Sequence, residues 1–399
     1  MADGPLQQSD LTADWALVVD DAGLRRAAET LAAGRGPVGI DAERASGFRY
    51  GSEAYLVQAH RRGAGTFLFD PVEIATFAPL AEAIDEEEWI LHAASQDLPC
   101  LEDLGLRPQR IFDTELAARL LGYERVGLGA IVETLLGIHL EKAHSAADWS
   151  QRPLPDAWLE YAAFDVALLP DLRDAVQRDL EAQRKTEFAR QEFEAVRTRP
   201  AKAPNAEPWR KLSGGHRLRT PRALAIAREL WVSRDALARE RDVAPGRLIP
   251  DASVVAAAEA APRSKGELAR LQSFRGRASR TELDRWWAAV LRGKTTEELP
   301  GPRRRDPDAI PHHRGWAQRH PEAAERLADA RAALEAEAER LRMPLENLLT
   351  PELLRRLAWA PPVPADAATI ALRLTELGAR EWQVGLTAPI IAAAFVESA

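Results

Sequence analysis

Val38-Gly39-Ile40-Asp41-Ala42-Glu43 is the stretch on which the reading of this chain turns. It is apolar at its start and bounded by Gly34-Arg35-Gly36-Pro37 and Arg44-Ala45-Ser46-Gly47, which marks a short buried strand. Residues two apart on a strand share a face, so Asp41 and Glu43 project side by side from a hydrophobic element. Two carboxylates held that way repel each other unless protons or cations lie between them. Taken alone, such a pair reads as two solvated acids at the end of a strand. More acids arriving at matching places would give it another meaning.

Outward from this strand the pattern is α/β. Trp15 to Val19 reads as a strand, with Asp20 or Asp21 capping a helix that runs to about Ala33. Further strands are expected at Ala54 to Ala59, Thr66 to Asp70 and Trp89 to Ala93, with a helix over about residues 73 to 85. Helical spacing follows Asp97 as far as Gly105, Ile111-Phe112-Asp113-Thr114 starts a helix to about Leu121, and 155 to 199 is mostly helical. Strands first, then strands mixed with helices, indicate an α/β domain with a mixed sheet. Residues 199 to 208, rich in Pro and Ala, read as a linker. Beyond it only helical patterns appear, in two runs separated by a breaker-rich stretch, 300 to 311, that contains Arg303-Arg304-Arg305.

At 399 residues the chain calls for two or three domains. No basic-then-apolar leader opens it and no apolar run approaches the length of a membrane span, so no membrane role is expected and the cytoplasm is the default. A single cysteine, Cys100, excludes an internal disulfide framework and a cysteine-based zinc site. Net charge is −8, but residues 202 to 305 hold 23 Lys and Arg against 12 Asp and Glu, leaving 30 against 49 elsewhere. A basic middle beside acidic flanks suits a protein that grips a polyanion in one place and holds cations in another. Phosphate-loop, dinucleotide, zincin and nucleophile-elbow motifs are absent.

Further acids do arrive. Asp97 follows a buried strand at the start of a helix, where a plain N-cap is the simplest role. Tyr161 and Asp165 are four apart and share one helix face, beside the apolar Leu159, Ala163, Val166 and Leu169. Oxygen-only ligand sets select hard cations such as Mg²⁺ or Mn²⁺. Four carboxylates can hold two such ions about 3.5–4 Å apart, the spacing used for phosphoryl hydrolysis, with the tyrosine hydroxyl orienting a water. His92 reads as a packed histidine, and His312-His313 as exposed linker residues. Trp231, Trp286 and Trp287 fit core packing better than base stacking.

The order Asp41-Ala42-Glu43, His92-Ala93-Ala94-Ser95-Gln96-Asp97, Tyr161-Ala162-Ala163-Phe164-Asp165 resembles the three exonuclease motifs of ribonuclease D, in the tyrosine branch of the DEDD 3′→5′ exonucleases. Asp113-Thr114-Glu115 and Asp148 to Leu154 are similar to stretches between its second and third motifs. Arg239 to Pro245, Leu248-Ile249-Pro250-Asp251 and Pro262 to Leu268 resemble an HRDC domain; Arg342 to Glu346 with Leu377-Gly378 is a fainter likeness to a second. The family commonly carries Asp-Thr-Glu-Phe, so Ala42 and Arg44 depart from it. Arg44, read either as a phosphate contact or as a solvated residue, stays outside the site set.

The resemblance implies a ribonuclease H-like mixed sheet with flanking helices over residues 1–199, a linker at 200–212, an HRDC bundle at 213–299, a linker at 300–312, and a divergent HRDC-like bundle at 313–399. It implies a hydrolytic 3′→5′ exoribonuclease with two divalent ions, Mg²⁺ or Mn²⁺, bound by Asp41, Glu43, Asp97 and Asp165, and Tyr161 as the fifth catalytic residue. The expected partner is RNA with a free 3′ end, tRNA precursors included, the products nucleoside 5′-monophosphates, and the enzyme a monomer. The rival readings are a DNA 3′→5′ exonuclease and a silent RNA-binding protein that keeps the fold.

Overall fold

The computed structural model describes residues 6–8, 14–141, 144, 146–201, 203, 205–301 and 309–397. The Arg303-Arg304-Arg305 run, the first five residues, and Lys202 and Pro204 of the first linker lie outside them.

The N-terminal part is built on β2 (Trp15–Val18), β3 (Arg35–Arg44), β4 (Ala54–Arg62), β5 (Gly65–Phe69), β6 (Glu88–Leu91) and β7 (Arg110–Asp113), ordered β2-β5-β4-β3-β6-β7. β4 alone runs antiparallel to both its neighbours; the other pairings are parallel, so the sheet is mixed. A two-residue β1 (Leu6–Gln7) pairs with β8 (Ile138–His139) off its side. The helices here are α1 (Asp21–Ala32), α2 (Ala78–Ala83), α3 (Leu98–Asp103), α4 (Thr114–Leu121), α5 (Leu128–Leu136), α6 (Asp156–Ala167), α7 (Leu169–Ala182) and α8 (Thr186–Arg197). Asp20 caps α1, accepting from Gly23 N at 2.6 Å.

Alternation along β3 does what the sequence requires. Val38, Ile40 and Ala42 enter the main core, while Asp41 and Glu43 leave by the other face, toward α6. That approach is close because β3 carries a glycine there. A Cβ at Gly39 would lie 2.9 Å from the Val166 carbonyl oxygen and 3.2 Å from Leu169 Cβ.

Two local expectations change and one element is new. The helix expected over 73 to 85 is only Ala78–Ala83, because side chains take the preceding backbone donors: Asp70 accepts from Val72 N (3.0 Å), Asp21 from Ala75 N (2.9 Å) and Thr76 from Ala78 N (3.2 Å). Ile111-Phe112-Asp113 is a strand rather than a helix start; both apolar residues are buried beside β6, and the helix begins only after the Asp113 cap. α5 is an element that was not anticipated.

The second half is helical: α9 (Pro221–Arg241), α10 (Pro245–Leu248), α11 (Asp251–Ala260), α12 (Lys265–Arg270), α13 (Arg277–Thr281) and α14 (Leu283–Thr295), then α15 (Trp316–Arg319), α16 (Pro321–Arg340), α17 (Leu345–Leu348), α18 (Pro351–Trp359), α19 (Ala367–Glu376) and α20 (Glu381–Glu397). The first group closes on its own core, with Trp286 fully buried and its indole N–H bonded to the Ala278 carbonyl, which gives that tryptophan the packing role expected. It meets the sheet through the β3–β4 loop. Asp242 accepts from Arg49 and from Tyr50 N (both 3.2 Å), Ala244 N donates to the Phe48 carbonyl (2.9 Å), and Arg247 donates to the Gly47 carbonyl (2.6 Å) while lying over the Phe48 ring. The last group has no core of its own. Its buried residues join those of the sheet and its helices in one continuous cluster. No helix among the described residues is long and apolar enough to cross a membrane.

Candidate active site

The ends of β3 and β6, the start of α3 and one face of α6 converge on a cleft of about 560 Å³. Asp41, Glu43 and Asp165 each present a carboxylate oxygen there, all within 4.8 Å of one another. Asp97 joins them through a hydrogen bond to Asp41. Tyr161 stands one turn before Asp165 on α6 and lines the same cleft, close enough for that carboxylate to act on its hydroxyl. All five residues singled out from the sequence therefore meet, although 124 positions separate the first from the last.

Asp97 occupies the N-cap position of α3, yet its side chain makes no capping bond. Its backbone carbonyl accepts from Leu101 N, while the carboxylate turns into the cleft. An N-cap side chain that declines the cap forgoes about 1 kcal/mol, so the plain capping role does not explain this aspartate. The loop before it is held by Asp113, whose carboxylate accepts from Ala93 N (3.1 Å), Ala94 N (2.9 Å), Glu115 N and Leu116 N (both 3.1 Å). Asp113 is thus the cap of α4 and the anchor of the loop that aims Asp97. Ala93 sits there at φ +65°, a conformation a non-glycine residue keeps only when its surroundings hold it.

The Asp148 to Leu154 stretch is scaffolding. Arg152 pairs with Asp70 at 2.6 and 2.7 Å, and Trp149, fully buried, belongs to the cluster against which Tyr161 packs. His92 is tied to Thr114 at 2.9 Å, and burial pushes it down to about 4, so it is a neutral, hydrogen-bonded side chain. Arg125, Gly127, Gly129, Glu115 and Glu141 also line the cleft. Sequence reading missed the first three because it missed α5; Gly127-Leu128-Gly129 before the apolar Ile131, Val132 and Leu135 was the available signal.

Electrostatics in the cleft are adverse to the carboxylates as they stand. Burial raises Asp41 to about 6 and Asp97 to about 8. Burial and then the charges of Asp41, Asp165 and Asp97 raise Glu43 to about 10. Burial, with Asp41 second, raises Asp165 well above the carboxylate range. Burial and Asp165 raise Tyr161 as well, so its hydroxyl keeps its proton. Oxygen-only donors, crowded and short of positive charge, are the ligand chemistry that hard divalent cations require. The residues present fit such ions.

Sheet, helices and acid-lined cleft together define a 3′→5′ exonuclease. Residues 16–181 match the family described as "3'-5' exonuclease", 223–290 match the HRDC domain, and 309–395 match "3' to 5' exonuclease C-terminal domain". Ribonuclease D of Pseudomonas paraeruginosa is 30% identical over 299 residues, covering 74% of this chain and 77% of that protein. A protein of Bifidobacterium adolescentis superposes with a TM-score of 0.89 at 36% identity, covering 98% of this chain and all of that one. Escherichia coli RNase D shares the fold at TM-score 0.67 and 24% identity, covering 91% and 99%. The chain belongs to the ribonuclease D family, metal-dependent exoribonucleases that work from the 3′ end of RNA. The HRDC match falls on the first helical group alone, so two HRDC bundles are not established.

Proposed function

We propose that Asp41, Glu43, Asp97 and Asp165 hold two Mg²⁺ or Mn²⁺ ions, and that Tyr161 orients the water that attacks the terminal phosphodiester. The observation that carries this is the convergence of three carboxylates within 4.8 Å, with the fourth bonded to one of them. When bound, such ions make water acidic enough to attack at neutral pH and neutralise the leaving 3′-oxygen. The chain's own residues do the rest. β3 fixes two ligands side by side, the Asp113-anchored loop brings the third, and α6 delivers Asp165 and Tyr161 from one face. The Tyr161 hydroxyl, beside Asp165 and kept protonated, can accept from a water and fix its approach.

The products on this reading are nucleoside 5′-monophosphates. Trimming of tRNA precursors, a monomeric state and a cytoplasmic location are carried over from the family. The excess of basic residues over 202 to 305 suits the HRDC group, within 213–299, to hold RNA phosphates away from the cleft, which makes affinity fall as salt rises. For 313–399 we propose a divergent HRDC-like unit. A long helix, a residue with positive φ, a four-residue helix and a further helix recur in both groups: α9, Asp242 at +47°, α10, α11, and α16, Arg342 at +50°, α17, α18.

The test is a time course on RNA labelled at the 3′ end and, separately, at the 5′ end, with Mn²⁺ and with EDTA. Early release of labelled mononucleotide from the 3′ end alone, abolished by EDTA and by Asp41→Asn in a folded protein, is expected. Wild-type rates from Asp41→Asn would refute the ligand assignment. A matched DNA oligonucleotide in the same assay separates the RNA reading from a DNA exonuclease.

A further inference from the structure

β3 breaks register at the step after its second acid. Asp41 pairs with Gln58, Ala42 with Val57 and Glu43 with Leu56, but Arg44 pairs with Ala54, passing over Tyr55. A regular strand would send Arg44 to the face of Ala42, into the apolar core and away from the acids. The extra residue of this step, Tyr55, belongs to β4, so the ladder is interrupted beside Arg44, the last residue of β3. Here the Arg44 guanidinium lies 3.6 Å from Asp97 Oδ1 and lines the cleft with all four carboxylates.

That contact is close enough for an ion pair and too long for a hydrogen bond. Among the described residues it is the one ion pair that Arg44 makes, and its side chain keeps 27% of its exposure against 8% for Asp97. An arginine carries five donors in a fork that matches carboxylate or phosphate. Locked pairs such as Arg152 with Asp70, at 2.6 and 2.7 Å, look different. Arg44 balances charge in the cleft while its donors stay uncommitted.

Divalent ions bound by the same carboxylates would make this balancing charge redundant and, at such range, repulsive. An RNA 3′ end entering the cleft brings phosphates that need a donor fork. We propose that Arg44 is an exchangeable counter-ion: it balances Asp97 until divalent metal is bound, and then clamps a phosphate of the substrate. The proposal rests on the metal reading above. It makes Arg44 a positioning residue, whose loss weakens RNA binding and strengthens metal binding at once.

The experiment is Mn²⁺ titration of the full chain without RNA, followed by electron paramagnetic resonance, beside steady-state kinetics on a short single-stranded RNA at saturating Mn²⁺. Removing one nearby positive charge in Arg44→Gln is expected to tighten Mn²⁺ about five- to tenfold, and losing a charged hydrogen bond to raise KM for RNA about tenfold with kcat little changed. Arg44→Lys keeps the charge but not the fork, so it should bind Mn²⁺ as the wild type does, with an intermediate KM. Mn²⁺ binding by Arg44→Gln equal to or weaker than wild type overturns the proposal. So does a tightened Mn²⁺ site with an unchanged KM. If the wild type binds no Mn²⁺, or binds it as Asp41→Asn does, the metal reading itself fails.

Discussion

The two helical groups are attached to the exonuclease fold by opposite physics. The HRDC group closes on a core of its own and touches the sheet through a mostly polar clamp on Gly47, Phe48, Arg49 and Tyr50, with the Tyr50 ring resting on that core. The C-terminal group shares one continuous core with the sheet and its helices. Phe188 stacks on Trp382 with ring centroids 4.4 Å apart, and the buried Glu192 accepts from Trp382 Nε1 (3.2 Å) and Arg380 (3.0 Å). Lys185 donates to the carbonyls of Leu120 and Arg342. Apolar area of this kind is insensitive to salt, whereas exposed charged contacts weaken as salt rises. The C-terminal group is therefore part of the exonuclease's folding unit, and the HRDC group is a module with its own core docked on the β3–β4 loop.

The sharpest way to break this contrast is Trp382→Ala. It removes a buried ring and one partner of a buried carboxylate, and should cost about 3–5 kcal/mol in urea unfolding of the exonuclease fold itself. An unchanged midpoint would show that the shared core does not bind the units together. Gly122→Ala should follow, at about 2–3 kcal/mol. Gly122 holds φ +82° at the end of α4, and a Cβ there would overlap the Arg342 carbonyl. Across the HRDC clamp the effect should be small. Asp242→Asn tolerates the φ of +47° at this position and removes the charge that faces the exposed Arg49, so about 1 kcal/mol of docking or less is at stake. Limited proteolysis between the units should accelerate with salt in the wild type and depend less on salt in the variant. A large effect on global stability would erase the distinction.

The smallest effect is a pH slope. Burial outweighs Arg380 and Trp382 and raises Glu192 above its ordinary value. Its contribution is then fully present below the unfolded carboxylate pKa and fades as pH rises through the higher native one. Glu192→Gln, which cannot titrate, should flatten that part of the stability curve. An unchanged slope would locate the titration elsewhere.

Much of this was legible in the sequence because it follows from local rules. Period-two alternation placed Asp41 and Glu43 on one face, and period-four spacing put Tyr161 and Asp165 together. What escaped depends on contacts between distant elements. Alternation assigns Arg44 to the face of Ala42, and only the folded cleft shows its guanidinium beside Asp97. Ile111 and Phe112 look like a helix start until β6 lies beside them. The capping role expected of Asp97 fails because its carboxylate turns into the cleft with Asp41 and Arg44, both far away in sequence. The shared core of the C-terminal group was equally invisible, since apolar residues on a helix do not say which partner covers them.

Gly39 has a further consequence. It lies two residues before Asp41, where β3 meets the end of α6, and α6 carries Asp165 one residue before the carbonyl that a Cβ at Gly39 would press upon. One missing methyl group thus sets the calliper width between the strand's acids and the helix's acid. On the metal reading proposed above, opening it by a few tenths of an ångström would leave every acid in place and change which ionic radius they suit. Gly39→Ala should therefore shift the ranking of Mg²⁺, Mn²⁺ and Ca²⁺ by affinity toward the larger ions before it abolishes binding of any of them.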